Sequence, residues 1–121
     1  MTEFHVAVYG SLKQGYANHG YLHTAVRLGD YQTEPRYTLL DLGFFPALID
    51  EGTTSVSVEI YRVSSATLTN LDRLEGHPRF YRRTERQIIG FGLAWIYIAN
   101  KEALAGSHYN AIATGVWGEE F

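Results

Sequence analysis

The sequence predicts an α+β fold in which a small mixed β-sheet curls toward a barrel and carries short flanking helices. Segments with strand patterns outnumber those with helix patterns, and they do not alternate regularly with long helices, which argues against a doubly wound sheet. Apolar residues make up 45% of the 121 residues, enough for the core of one domain. No repeat or linker divides the chain, so we expect a single domain over residues 1–121.

The amino-terminal part of the chain predicts two strands and one short helix. Residues 4–9 alternate, are rich in β-formers and are followed by Gly10, so they predict the first strand. Residues 18–25 predict a short helix. Residues 37–42 predict a second strand, and residues 43–46 (GFFP) break its pattern.

The strongest strand pattern covers residues 54–63. Its side chains alternate, with Val56, Val58 and Ile60 on one face and Ser57, Glu59 and Tyr61 on the other.

A helix is predicted directly after this strand, with Ser64 or Ser65 as its N-cap. Three leucines, Leu68, Leu71 and Leu74, form one apolar stripe. Gly76 is typical of a helix end, and Pro78 prevents the helix from resuming. Farther along, residues 86–90 and 93–99 predict a hairpin whose turn contains the Gly-Phe-Gly segment at 90–92.

Composition excludes several function classes. The chain has no cysteine, which excludes a disulfide scaffold, thiolate catalysis and zinc–thiolate sites. We read no signal peptide, and no segment approaches the ~20 apolar residues of a membrane span, so we expect a cytoplasmic protein without membrane partners.

The charge distribution argues against a nucleic-acid partner, because the formal net charge is −3. The one local basic cluster consists of Arg79, Arg82, Arg83 and Arg86. Glu75 and Glu85 accompany it, so we interpret the cluster as a solvated or anion-tolerant rim.

The loop after the first strand, Tyr9-Gly10-Ser11-Leu12-Lys13, is a candidate anion site. A glycine at a strand end lets successive amide groups turn toward one point. The loop lacks the Gly-Lys-Ser/Thr pattern of a phosphate-binding Walker loop, and its glycine spacing differs from the dinucleotide fingerprint. From the residues alone, an ordinary strand-ending turn is favoured over an anion site.

Glu75 is the candidate proton-transferring carboxylate. It falls in the last turn of the predicted helix, where the helix dipole disfavours negative charge, and Asp72 adds a like charge three residues earlier. Both effects raise its pKa toward the range of a general base, whereas the nearby arginines lower it. The alternative is a surface glutamate at a frayed helix end.

Other ionisable side chains provide rival hypotheses. Glu59 would be functional if its strand face pointed into a barrel, and an ordinary solvated residue if it pointed outward. His19 and His23 would share a helix face, but no third ligand accompanies them, and His5, His77 and His108 are isolated. No Gly-x-Ser-x-Gly nucleophile elbow exists. We therefore expect no metal and no cofactor.

Several motifs in fixed order resemble the γ-glutamylcyclotransferase-like family, most closely its γ-glutamylamine cyclotransferases. The opening signature covers residues 8–13 (VYGSLK), followed by Gly15 and the pair Asn18-His19. Residues 45–49 (FPALI), 58–61 (VEIY), 71–75 (LDRLE), 94–97 (AWIY) and 115–117 (GVW) are similar to later segments of the family. Val58 stands where the family has glycine. The resemblance spans nearly the whole chain.

The resemblance implies a cyclising cleavage of γ-glutamyl amines, such as γ-glutamyl-lysine, to 5-oxoproline and a free amine. It implies Glu75 as general acid and base. The loop that begins at Tyr9 would bind the substrate, with the backbone amides of Gly10, Ser11 and Leu12 as a clamp for the γ-glutamyl head. Tyr81 and Tyr97 would be pocket hydroxyls, or else core packing. The leaving group would lie near Phe44, Phe45, His77 and residues 79–83.

A second reading is a non-catalytic protein that binds a γ-glutamyl or 5-oxoproline group through residues 9–12. In both readings the partner is a small molecule, and the sequence specifies no oligomeric state.

Overall fold

The computed structural model describes residues 3–104 and 109–118. Within them the chain forms eight strands: β1 (Glu3–Val8), β2 (Val26–Thr33), β3 (Tyr37–Asp41), β4 (Pro46–Thr54), β5 (Ser57–Ser64), β6 (Tyr81–Ile89), β7 (Gly92–Ala99) and β8 (Asn110–Ala111). One α-helix, α1 (Ser65–Leu74), follows β5 directly, and His19–Leu22 and Lys101–Leu104 form short 3₁₀ helices. The α+β class and the curled sheet with short helices predicted from the sequence are confirmed.

Five of the strands close into a barrel in the order β1-β5-β2-β6-β7. The closing contact is parallel and joins β1 to β7, with Val6 opposite Trp95 and Ala7 opposite Ile96. The remaining strands form a three-stranded sheet in the order β4-β3-β8. Barrel closure leaves the first and last barrel strands side by side, so the loop after β1 lies near residues of β7.

Alternation along the barrel strands divides the apolar residues into two clusters. One contains Val6, Val8 and Tyr61 together with Leu68 and Leu71 of α1, so it lies on the face that the helix covers. The other contains intervening strand residues such as Ala7, Ile60 and Ile96, which point away from the helix. The side chains of β1, β5 and β7 that share a face with α1 are therefore available to a site beside the helix.

Helix α1 ends in a Schellman motif. Its N-cap is Ser64, whose hydroxyl accepts a hydrogen bond from the Thr67 amide at 3.2 Å. At the other end the His77 amide donates to the Asp72 carbonyl at 2.9 Å and the Gly76 amide to the Arg73 carbonyl at 3.2 Å. Gly76 has φ +65°, a conformation that favours glycine. Glu75 is thereby the C-cap residue, its backbone held by the helix end.

Three strands were not predicted from the sequence, namely β2, β4 and the two-residue β8. Strand β2 contains a bulge, because its register with β5 shifts between Arg27 and Gly29 and so interrupts the period of two. Strand β4 begins at Pro46, a residue tolerated at the first position of a strand but suggestive of a break in a sequence.

Other elements differ from the prediction in their bounds or type. The strand predicted over residues 54–63 is β5 (Ser57–Ser64), and Thr54 instead ends β4. Strand β6 starts at Tyr81, whereas the sequence predicted a strand over residues 86–90. The arginine-rich first half of β6 shows no alternation of apolar and polar residues, and its strand conformation is imposed by pairing with β7. The predicted helix at 18–25 is a single 3₁₀ turn.

Candidate active site

A small cavity of about 20 Å³ lies between the loop after β1, the end of α1 and strands β6 and β7. Its lining comprises Ala7, Val8, Tyr9, Gly10, Ser11, Leu12, Phe45, Pro46, Glu75, Tyr81 and Tyr97. The structure thus brings together all seven site residues proposed from the sequence, which come from four separate segments of the chain. A volume of this size holds about one water-sized group.

The loop after β1 lines this cavity with residues whose amide groups do not take part in the hydrogen bonds of the loop. Its carbonyls are occupied, since that of Gly10 accepts from the Lys13 amide at 3.0 Å and that of Ser11 from the Asn18 amide at 2.8 Å. The amides of Gly10, Ser11 and Leu12, in contrast, donate none of the loop hydrogen bonds formed within residues 3–104 and 109–118. Successive unpaired amides in one turn form a concavity that binds an anion or a carbonyl oxygen.

Side chains outside the loop hold it in this shape. The Asn18 amide group donates to the Ser11 hydroxyl at 2.9 Å, and Nδ1 of His19 lies 3.0 Å from the Leu12 carbonyl oxygen. Glu59 accepts from the Gln14 amide at 2.9 Å. Only the family resemblance had singled out the Asn18-His19 pair, and its place in the structure explains why the two residues accompany the loop.

Gly10 is required by close packing and not by an unusual backbone angle. Its φ is not among the positive glycine values, but a Cβ at this position would lie 2.7 Å from Cγ and Cδ of Pro46. Pro46, the first residue of β4, therefore packs directly against the loop, and only a glycine at position 10 leaves room for the proline ring. The glycine observed in the sequence after the first strand thus has a packing reason that the sequence did not reveal.

Glu75 contributes an unpartnered carboxyl group to the cavity. Within the described part of the chain, no hydrogen bond or ion pair involves its side-chain oxygens. Burial raises the pKa of this carboxyl to about 7. The sequence left the direction of this shift open, because the helix end and Asp72 raise the pKa and the arginines lower it. In the structure the pKa is raised by desolvation, and Asp72, which was expected to act as a like charge, is paired with Arg83.

The three tyrosines of the cavity donate their hydroxyl protons in hydrogen bonds to protein oxygens. Tyr9 donates to the Tyr97 carbonyl at 2.6 Å, Tyr81 to the Pro46 carbonyl at 2.6 Å, and Tyr97 to Oδ1 of Asp72 at 2.7 Å. A hydroxyl has a single proton, so toward a ligand the oxygens of Tyr81 and Tyr97 can only accept. Burial raises the pKa of all three phenols, which keeps them protonated near neutral pH.

Asp72 is held as a carboxylate by its partners. Burial alone would raise its pKa, but hydrogen bonds from Arg83 and Tyr97 outweigh burial and lower the pKa. Arg83 binds both oxygens of Asp72, at 2.9 and 3.1 Å, and its guanidinium lies 4.6 Å from the ring centre of Trp95. This ordered pair fixes the direction of the Tyr97 hydroxyl.

A wider groove of about 440 Å³ opens from the cavity. The two share Ser11, Phe45, Glu75 and Tyr81. Its other lining residues are Ala17, Asn18, Phe44, Leu74, Gly76 and Phe80. Of the residues expected on the leaving-group side, Phe44, Phe45, Phe80 and Tyr81 lie here. Arg82 and Arg83 line a separate groove, and His77 and Arg79 line neither of the two.

The rival candidates have other surroundings. The Glu59 side chain lies on the same strand face as Tyr61, from whose hydroxyl it accepts at 2.9 Å. It is partly exposed and lines a different groove, not the cavity. No group of three His, Cys, Asp or Glu side chains suited to a metal occurs in the described ranges, and His108 falls outside them. In the arginine cluster, Arg83 pairs with Asp72 and Arg86 with Asp50. None of the helices described is long and apolar enough to cross a membrane.

Comparison with known proteins identifies relatives of this chain. The model of the family described as gamma-glutamyl cyclotransferase, AIG2-like, matches residues 6–119. A Vibrio cholerae protein named as a candidate gamma-glutamylcyclotransferase is 48% identical over 93 residues, covering 77% of this chain and 79% of its own.

Two solved structures share the fold. The protein ytfP from Escherichia coli is 34% identical with a TM-score of 0.71, covering 95% of this chain and 96% of its own. An aig2-like protein from Mus musculus is 27% identical with a TM-score of 0.75, covering 91% of this chain and 87% of its own.

Proposed function

The chain belongs to the gamma-glutamyl cyclotransferase, AIG2-like family, and on this premise we propose that it cleaves γ-glutamyl amines by cyclisation, releasing 5-oxoproline and a free amine. Glu75 is the general base and then the general acid. The observation that carries the proposal is the composition of the cavity lining, which combines loop residues with unpaired amide donors, the carboxyl group of Glu75 and the acceptor oxygens of Tyr81 and Tyr97.

This composition matches the head of a γ-glutamyl group. The α-carboxylate is an anion and suits the free amides of Gly10, Ser11 and Leu12. The α-ammonium is a cation with three protons and suits the acceptor oxygens of Tyr81 and Tyr97 beside Glu75. Because the cavity itself has room for about one water-sized group, the rest of the substrate extends into the groove.

The reaction needs one group that moves a proton in both directions. The Glu75 carboxylate takes a proton from the α-ammonium, and the freed nitrogen attacks the γ-carbonyl carbon to form a five-membered ring. As the tetrahedral intermediate collapses, its oxyanion reforms the carbonyl, the bond from the γ-carbon to the leaving nitrogen breaks, and the Glu75 carboxylic acid gives that nitrogen a proton. The ring nitrogen then gives its second proton to the regenerated Glu75 carboxylate, which passes it to the released amine, so that the products are 5-oxoproline and an ammonium ion. A pKa of about 7 suits both steps, since both forms of the carboxyl are populated near neutral pH.

The protein also supplies the conformer that reacts. Nucleophile and electrophile belong to one substrate molecule, so holding the γ-glutamyl chain folded provides much of the rate enhancement. Glu75 is suited to this task because its backbone is fixed by the Schellman motif at the end of α1. The loop is fixed in turn by Asn18, His19 and Glu59.

The proposal is tested by incubating the protein with γ-glutamyl-lysine and with simpler γ-glutamyl amides, and by measuring 5-oxoproline. We expect turnover by the wild type and a loss of at least about a hundredfold in Glu75→Gln, in line with removal of a general acid–base group. Glu85→Gln, which changes an exposed carboxylate on β6, serves as the matched control and retains activity.

Two outcomes would contradict parts of the proposal. Turnover that persists in Glu75→Gln would remove Glu75 from its role. Absence of turnover across the panel, combined with binding of 5-oxoproline measured by calorimetry, would favour a non-catalytic binding protein with the same pocket.

A further inference from the structure

We propose that the groove outside the cavity receives the amine half of the substrate and selects apolar, uncharged amines over lysine and other amino acids. This inference rests on the proposed function, because it assigns the substrate class of the same site. The groove lies where the leaving group must emerge, since Glu75, which would protonate the leaving nitrogen, lines both the cavity and the groove.

The size of the two spaces assigns the parts of the substrate. The cavity of about 20 Å³ is filled by a small polar group, whereas the groove of about 440 Å³ lies within the range of clefts that hold small-molecule ligands. The two spaces share Ser11, Phe45 and Tyr81 in addition to Glu75, so a bound substrate can pass from one into the other without a gap.

The groove walls are aromatic. Phe44 is 94% exposed and Phe45 is 39% exposed, so both rings are available to cover a ligand. The rings of Phe45 and Phe80 lie edge to face with their centres 6.3 Å apart, and Leu74 of α1 adds an aliphatic surface. An apolar amine would bury part of these rings, which stabilises the complex in proportion to the area removed from water.

The groove offers a charged leaving group little charge compensation, since its polar side chains other than Glu75 are the uncharged Ser11, Asn18 and Tyr81, of which Asn18 donates to Ser11 at 2.9 Å. Among the described residues that line it, Glu75 is the one charged side chain, and its role is at the reacting nitrogen. Arg82 and Arg83, which could have bound a carboxylate, line a different groove. The α-ammonium and α-carboxylate of a lysine leaving group would therefore lose hydrating water in the groove without gaining an ion-pair partner of their own.

The experiment compares two substrates of matched head group, γ-glutamyl-benzylamide and Nε-(γ-glutamyl)-lysine, by release of 5-oxoproline. We expect kcat/KM to be at least about tenfold higher for the benzylamide, the scale of discrimination that an apolar pocket provides. Phe44→Ser should lower kcat/KM for the benzylamide by about five- to tenfold and change the value for the lysine conjugate by less than about twofold. Leu93→Ser, an exposed apolar position (55%) on β7, is the matched control and should leave the ratio unchanged.

The other possible results also decide whether the groove selects apolar amines. Equal kcat/KM values for the two substrates, or a preference for the lysine conjugate, would overturn the inference while leaving the proposed function intact. If neither substrate is turned over, the proposed function fails, and calorimetry with the same two compounds then decides the inference. Tighter binding of the benzylamide supports the groove assignment, and equal or weaker binding overturns it.

A second copy of the chain is the other occupant that an aromatic groove could accept. Sedimentation of the wild type and Phe44→Ser separates this case. A dimer that dissociates in Phe44→Ser, together with an unchanged substrate ratio, would show that a neighbouring subunit covers the groove and would overturn the inference.

Discussion

The hydroxyl of Tyr97 donates a 2.7 Å hydrogen bond to Oδ1 of Asp72, so its proton is directed to that carboxylate and its oxygen is left to accept from a ligand in the cavity. Asp72 is in turn bound through both oxygens by Arg83. Asp72 and Arg83, which do not line the cavity, therefore determine that the Tyr97 oxygen acts as a hydrogen-bond acceptor toward a substrate. In the proposed reaction they are positioning residues, because they act through Tyr97.

Asp72→Asn should weaken recognition of the α-ammonium. The asparagine side chain can offer a donor to Tyr97, which would free the tyrosine proton to point toward the cavity and replace an acceptor by a donor. We expect kcat/KM to fall by about tenfold, mainly through KM, as measured with a γ-glutamyl amide. The double variant Asp72→Asn/Tyr97→Phe should lose no more than the larger single effect, and additive losses would contradict the relationship.

The stability of Glu75→Gln relative to the wild type should depend on pH. The folded protein raises the pKa of Glu75 from 4.5 to about 7, so between these values the folded state binds more protons than the unfolded state. The stability due to the protonated carboxyl is thus fully present below pH 4.5 and is lost as the pH rises through 7. Since glutamine stays neutral, Glu75→Gln should be more stable than the wild type by about 1–3 kcal/mol at about pH 8, with the difference vanishing near pH 4.5.

Urea unfolding at several pH values measures this difference. A difference that stays constant from about pH 4.5 to about pH 8, or one that grows as the pH falls, would show that the carboxyl of Glu75 is not desolvated in the folded protein.

Activity should depend on the same ionisation. In the proposed mechanism the free enzyme must carry Glu75 as a carboxylate, so kcat/KM rises with pH and levels off above about 7. Initial rates of 5-oxoproline formation at low substrate concentration, measured from about pH 5 to about pH 8, follow this limb. A limb centred near 4.5 would contradict the buried position of the base.

Gly10→Ala should destabilise the protein and impair the loop. The added methyl group would meet the Pro46 ring at 2.7 Å, and the backbone on both sides is constrained, so we expect a loss of about 1–3 kcal/mol in the free energy of unfolding. Gly20→Ala is the matched control, because a Cβ added there would have nothing within 4 Å and the φ of Gly20 is not positive. Equal stability of the two variants would show that Pro46 moves aside without cost.

Local chemistry in the sequence determined the elements that hold the site. A serine cap, three leucines at a spacing of three and a glycine followed by proline specify α1 and its end, because each acts on neighbours within one or two turns. Glu75 could therefore be assigned to the helix terminus without coordinates. The loop at Gly10 was recognisable for the same reason, whereas the bulged β2 and the proline-initiated β4 were not, since pairing with other strands overrides their own weak patterns.

Only the tertiary structure decided what these elements do together. Closure of the barrel through β1 and β7, and the packing of β4 against the loop, bring Glu75 and the loop at Gly10 into the lining of one cavity, and no local pattern encodes those pairings. The same packing raises the pKa of Glu75 by burial and pairs Asp72 with Arg83, two effects that depend on distant groups. The chain's local interactions thus specify each segment, and the desolvation and hydrogen bonding that confer chemistry arise when the segments pack.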